Sequence, residues 1–236
     1  MSAVFKREFR TFFTSPIGYF VLALIFALSG FFFYYYNMRG LLADLTGVFS
    51  SVFSYVIMLV LPVLTMRLLS DDKRQKTDQA LLTAPVSLTG IALGKFFAAL
   101  LIYAIGIAIT LVFAIIIAFQ VTPDWLVIIG NYLGLLLLGG MVIAIGLFIS
   151  SLTESQFIAA LVTFAISFIL VMIDNVGSMF SSATWLQPIV EFLSVYSRYN
   201  EFTNGIIQYD NVIFFLSMQA LFVFLTVRVL DRKRWN

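Results

Sequence analysis

Residues 15–36 read SPIGYFVLALIFALSGFFFYYY, an apolar run of spanning length. Ser15 at an N-cap and Pro16 at the first helical position open a helix. Tyr34, Tyr35 and Tyr36 close it with rings that suit a membrane–water interface. A spanning helix needs about 20 predominantly apolar residues, so 17–36 reads as a membrane span. Lys6, Arg7 and Arg10 ahead of it give the run the look of a secretory signal, but no small-residue cleavage site follows, and the expectation is an uncleaved first span.

The same criterion, carried along the chain, finds spans at about 50–69, 91–119, 125–149, 156–173 and 211–230. The third is long for a hydrocarbon core about 30 Å thick, which calls for tilt or for a start outside the core near Lys95. Composition agrees: 61% of the 236 residues are hydrophobic and 11% charged, against roughly 25% charged in soluble domains. The fold class is therefore an all-α polytopic membrane protein with six transmembrane helices, residues 1–236 forming one domain.

Two further segments complete this architecture. In 3–14, Val4, Phe5, Phe9, Phe12 and Phe13 recur at helical spacing with basic residues between them, as in an amphipathic interfacial helix. Residues 174–210 are too polar to span and rich in aromatics. Within them Ile189, Phe192, Leu193 and Tyr196 keep helical spacing, so short re-entrant or interfacial helices are expected before the sixth span, an ordinary external loop being the alternative.

Orientation follows from Lys and Arg. Of fourteen, twelve (Lys6, Arg7, Arg10, Arg67, Lys73, Arg74, Lys76, Lys95, Arg228, Arg232, Lys233 and Arg234) fall on one side, and only Arg39 and Arg198 on the other. Acidic residues divide evenly, as expected where the rule counts positive residues rather than net charge. Both termini are therefore expected in the cytoplasm, 174–210 is extracytoplasmic, and the site is the cytoplasmic (inner) membrane. The connector 150–155 carries no Lys or Arg, so alternation alone fixes its side.

Chemistry is constrained by what is missing. With no Cys and no His, the chain has no disulfide, no thiolate nucleophile, no Ser-His-Asp triad and no His-ligated metal, and neither a catalytic constellation nor a metal site is expected. Gly90 to Phe96 (GIALGKF) approaches a phosphate-binding loop but has three residues between its glycines and Phe where Ser or Thr would meet magnesium. It reads instead as the start of span three, with Lys95 snorkelling to the interface. Gly130, Gly134, Gly139, Gly140 and Gly146 make span four a close-packing helix, and Pro62 marks a kink in span two. No ionisable residue falls near the centre of a span, which argues against proton- or sodium-coupled transport.

The remaining polar feature is the connector SDDKRQKTDQALLTAPVS, residues 70–87. Thr77 can cap a short helix with Asp78 in its first turn and Pro85 as its stop. Its Leu81 and Leu82 suit a groove on a partner or the membrane surface equally well. The order of elements resembles the ABC-2 type permeases over nearly the whole chain, and is most similar to the gliding-motility-type and multidrug-type subunits. The stretch TDQALLTAPVS is the most specific part of the likeness.

That resemblance implies that 77–84 is a cytoplasmic coupling helix seated in a cleft of a separate ABC ATPase, with contacts from Thr77, Asp78, Gln79, Leu81, Leu82 and Thr83. Ser151, Thr153 and Glu154 of the connector between spans four and five would approach the same partner. It also implies pairing with a second permease chain, identical or related, ATP and Mg held by the ATPase rather than by this chain, and export as the direction. No substrate-binding residue carries over, and no nucleic-acid partner is expected. The competing reading is a channel or secondary carrier without an ATPase; an integral membrane enzyme is disfavoured by the residues the chain lacks.

Overall fold

Six helices in the computed structural model are long and apolar enough to cross a membrane: Pro16–Arg39, Thr46–Arg74, Leu88–Ala118, Trp125–Leu152, Gln156–Ile173 and Tyr209–Lys233. The structure describes residues 2–40, 44–77, 87–119, 121–179 and 194–235, and among these there is no strand. The polytopic all-α class is thus the observed one. Residues 78–84 of the expected coupling helix, and 180–193 of the expected extracytoplasmic segment, lie outside the described residues.

An N-terminal helix, Ser2–Thr14, precedes the first span, with Phe5 stacked on Phe9 and Phe9 set edge-on to Phe13. Ser15 is extended and its Oγ accepts the Ile17 N–H at 3.3 Å, with Pro16 in the first helical turn. The turn is tight enough that a Cβ on Gly18 would lie 2.0 Å from the Phe12 carbonyl oxygen, which only glycine avoids. The N-terminal helix then lies against span three, where Gly94 leaves room for Val4 and the backbone of Phe5.

Span two is longer than its apolar core. It is α-helical over Thr46–Ser51, widens to a π-helix over Val52–Val60 and returns to α-helix at Leu61–Thr65. Pro62 lacks a donor and crowds the carbonyl four residues back, and the wider turn ahead of it relieves that conflict. Span three is two helices, Leu88–Ile107 and Ile109–Ala118, meeting at Ala108. Because it starts at Leu88, Lys95 lies two turns inside it.

Span four is the hub, 78% buried, whereas spans one, five and six are 28%, 22% and 17% buried and present most of their surface outward. Its glycines receive neighbours from this same chain: Phe202 at Gly134, Tyr103 at Gly139, Gln219 at Gly140 and Thr65 at Gly146. Close approach also lets Tyr103 donate to the Leu135 carbonyl at 3.0 Å and Gln219 to the Leu137 carbonyl at 2.8 Å. In an apolar environment such bonds leave no polar group stranded.

At one end of the bundle a short helix, Val195–Thr203, packs on span four. Buried Asn131 accepts there from the Tyr199 hydroxyl at 3.0 Å and from Thr203 Oγ1 at 3.1 Å, and Phe53 of span two stacks on Tyr199 at 4.8 Å. We call this the far end. The opposite, basic end gathers the N-terminal helix, the bottoms of spans two and six and the top of the span-three sequence.

Candidate functional site

The basic end is built from residues that carry charge into a largely apolar bundle. Lys95 Nζ lies 3.0 Å from Glu8 Oε1 and 2.7 Å from Asp72 Oδ2, with Lys95 only 1% exposed. Expected to snorkel, Lys95 instead points inward. Two carboxylates from separate elements meet it there, and a buried ammonium so paired costs far less than one left alone. Arg7 pairs with the same Glu8 carboxylate. Burial alone would lower the Arg7 guanidinium, but its hydrogen bond to Glu8 and the nearby Glu8 and Asp72 charges outweigh that and hold its pKa raised.

A second cluster surrounds Asp71. Arg67 pairs with its Oδ2 at 2.9 Å and reaches Ser15 Oγ at 2.9 Å, so the bend into span one is tied to the base of span two. Asp71 Oδ1 accepts from Gln156 of span five at 2.8 Å and from Gln75 at 3.1 Å. Between the two clusters lies a groove of about 290 Å³ lined by residues that include Glu8, Ser15, Arg67, Asp72 and Thr77.

The two polar connectors are joined as well. Ser150 Oγ, fully buried, accepts the N–H groups of Leu69 and Ser70, each at 2.9 Å, where the helix of span two breaks before Ser70–Arg74. Lys73 Nζ donates to the Ser151 carbonyl. The connector 150–155, which alternation alone had assigned, therefore sits beside the basic connector at the same end.

Of the residues expected to meet a partner, Thr77 is anchored, its Oγ1 3.2 Å from both the carbonyl and Oδ1 of Asp72. Thr153 ends the helix of span four and its Oγ1 accepts the Ser155 N–H at 3.1 Å; Ser151 is buried and Glu154 exposed. Asp78, Gln79, Leu81, Leu82 and Thr83 lie outside the described residues. Sequence reasoning missed Glu8, Lys95, Asp72, Ser150 and Gln156 as a group. One signal was present: Glu8 stands one helical turn from Val4, on the stripe that packs inward.

Mechanically, the arrangement makes Asp72 a junction. Through Thr77 it holds the start of the segment 77–84, and through Lys95 and Glu8 it reaches span three and the N-terminal helix, while Ser150 and Gln156 tie in spans four and five. These contacts connect Thr77 to spans two, three, four and five, and the Arg67–Ser15 bond adds the start of span one.

No curated protein matches the chain. The family model for the ABC-2 family transporter protein, however, matches residues 2–235, taking in the N-terminal helix, all six spans and the junction at Asp72. The chain belongs to the ABC-2 family of transporter proteins.

Proposed function

We propose that this membrane subunit of an ABC transporter works as an exporter, with its basic end in the cytoplasm and a separate cytoplasmic ATPase seated on residues 77–84. The observation that carries the reading is the anchoring of Thr77 to Asp72, itself ion-paired to Lys95. An anchored start would let a push on 77–84 reach Asp72 and Lys95. Two permease chains, identical or related, would flank one path, each with its ATPase, and ATP and Mg would be bound by the ATPase.

In this mechanism closure of the ATPases draws the two segments together. Leu81 and Leu82 receive the force, the Thr77–Asp72–Lys95 line passes it to spans two and three, and Ser150 and Lys73 pass it to the connector between spans four and five, where Ser151, Thr153 and Glu154 lie. Span two is able to respond because its π-helical stretch ahead of Pro62 stores a non-α geometry. The mid-membrane regions that would bind a coupling ion in a secondary carrier hold neutral side chains in this sequence.

Leu82→Asp tests the proposal. The variant should insert and fold as the wild type does, yet fail to co-purify an ATPase and fail to stimulate its turnover. Association and stimulated turnover at wild-type levels would refute the reading and favour a channel or carrier that needs no ATPase.

A further inference from the structure

Between spans three and six, on the outward face of the bundle, runs a groove of about 460 Å³. Its wall on span six carries Leu216, Ala220, Val223 and Val227, one below another at helical spacing, and span three adds Leu93 and Phe96. The floor is closed by Gln219, whose amide is already committed to the Leu137 carbonyl. Apart from Gln219, the polar lining residues gather at the basic end, where Thr89, Arg228 and Asp231 line the opening.

We propose that this groove binds one phospholipid with a zwitterionic aminoethyl headgroup, a phosphatidylethanolamine, in the leaflet at the basic end. The apolar strip from Leu216 to Val227 is about 16 Å long by helical rise, long enough for most of an acyl chain. Arg228 and Asp231 stand one turn apart and, among the described residues, neither has an ion-pair partner. The Arg228 guanidinium rests over the Phe224 ring, 4.9 Å from its centroid, which steadies it at the mouth of the groove.

Charge complementarity selects the occupant. A phosphodiester satisfies Arg228 as a charge-assisted acceptor, and a primary ammonium three bonds beyond it satisfies Asp231 as a donor. A quaternary ammonium lacks the N–H groups that Asp231 would accept, and an anionic glycerol headgroup would set no cation against that carboxylate.

The test is competitive retention. The detergent-purified full-length transporter, with whatever subunits co-purify, is mixed with equimolar dioleoyl phosphatidylethanolamine, phosphatidylcholine and phosphatidylglycerol, and bound lipid is read by native mass spectrometry. The wild type should retain phosphatidylethanolamine about three- to tenfold over phosphatidylcholine, the effect of one charge-assisted hydrogen bond. Asp231→Asn should erase that preference while keeping total lipid. Arg228→Gln should lower all three, and Ala220→Phe, which fills the acyl strip, should lower phosphatidylethanolamine retention with both headgroup contacts intact.

Equal retention of the three lipids by the wild type would overturn the proposal. So would a preference for phosphatidylglycerol, selectivity that survives Asp231→Asn, or loss of the dimer on Arg228→Gln, which would assign the face to a second copy.

Discussion

The two ends of the bundle solve the same problem by different physics. At the basic end, separate elements are held in register by ions: Lys95 between Glu8 and Asp72, and Arg67 on Asp71. At the far end, the helix Val195–Thr203 is held on span four by a neutral acceptor, Asn131, by the Phe53–Tyr199 stack and by the flat surface that Gly130 and Gly134 provide. A buried charge network is intolerant: removing the shared cation leaves a neighbouring carboxylate short of a partner. Removing one neutral hydrogen-bond acceptor leaves no buried charge behind and costs less, about 1–3 kcal/mol. In the proposed mechanism the end held by ions is the one that receives the ATPase.

Lys95→Met breaks the comparison most severely if it is wrong. Deleting the ammonium leaves Asp72 without an ion-pair partner and Glu8 with Arg7 alone in a largely buried site, so the variant should lose about 3 kcal/mol in detergent unfolding. Adding Glu8→Gln to Lys95→Met should recover part of that loss, the signature of coupled neighbours. A loss no greater than that of an exposed charge would mean the basic end is held by packing instead. Asn131→Ala, at the far end, removes the acceptor of both Tyr199 and Thr203 and should cost about 1–3 kcal/mol in the same measurement. The comparison fails if the far-end variant proves the costlier of the two.

The contrast also explains what could be read from the sequence. Six spans were legible because run length is a local property that lipid enforces, and their ends differed by up to five residues, in part where polar residues prolong a helix past the apolar stretch, as Ser70–Arg74 does below span two. The Ser15–Pro16 bend was legible for the same reason, being a matter of adjacent residues. Lys95 was not. Taken alone, a lysine near the start of a span is expected to reach for water, and its burial depends on Glu8 and Asp72 arriving from two other elements. Ser150 was hidden likewise, because its two donors belong to Leu69 and Ser70 across the bundle. The segment 77–84 was singled out by its composition and family likeness, whereas the fixture that anchors it exists only in three dimensions.

Arg74→Ala sharpens the comparison from the small side. Arg74 reaches Asp71 at 3.5 Å with its side chain 64% exposed, and Asp71 keeps Arg67 at 2.9 Å when Arg74 is gone. A solvated pair on one helical turn is worth at most about 0.5 kcal/mol, so the variant should unfold within that margin of the wild type. Salt separates the two kinds of charge further. At an ionic strength of about 1 M the screening length falls to roughly 3 Å, so the small Arg74 effect should vanish while most of the Lys95→Met loss remains, Lys95 itself being 1% exposed. If both effects faded together as salt rose, the Lys95 network would be open to water, and the basic end could not act as the rigid link that carries force from Thr77 into the spans.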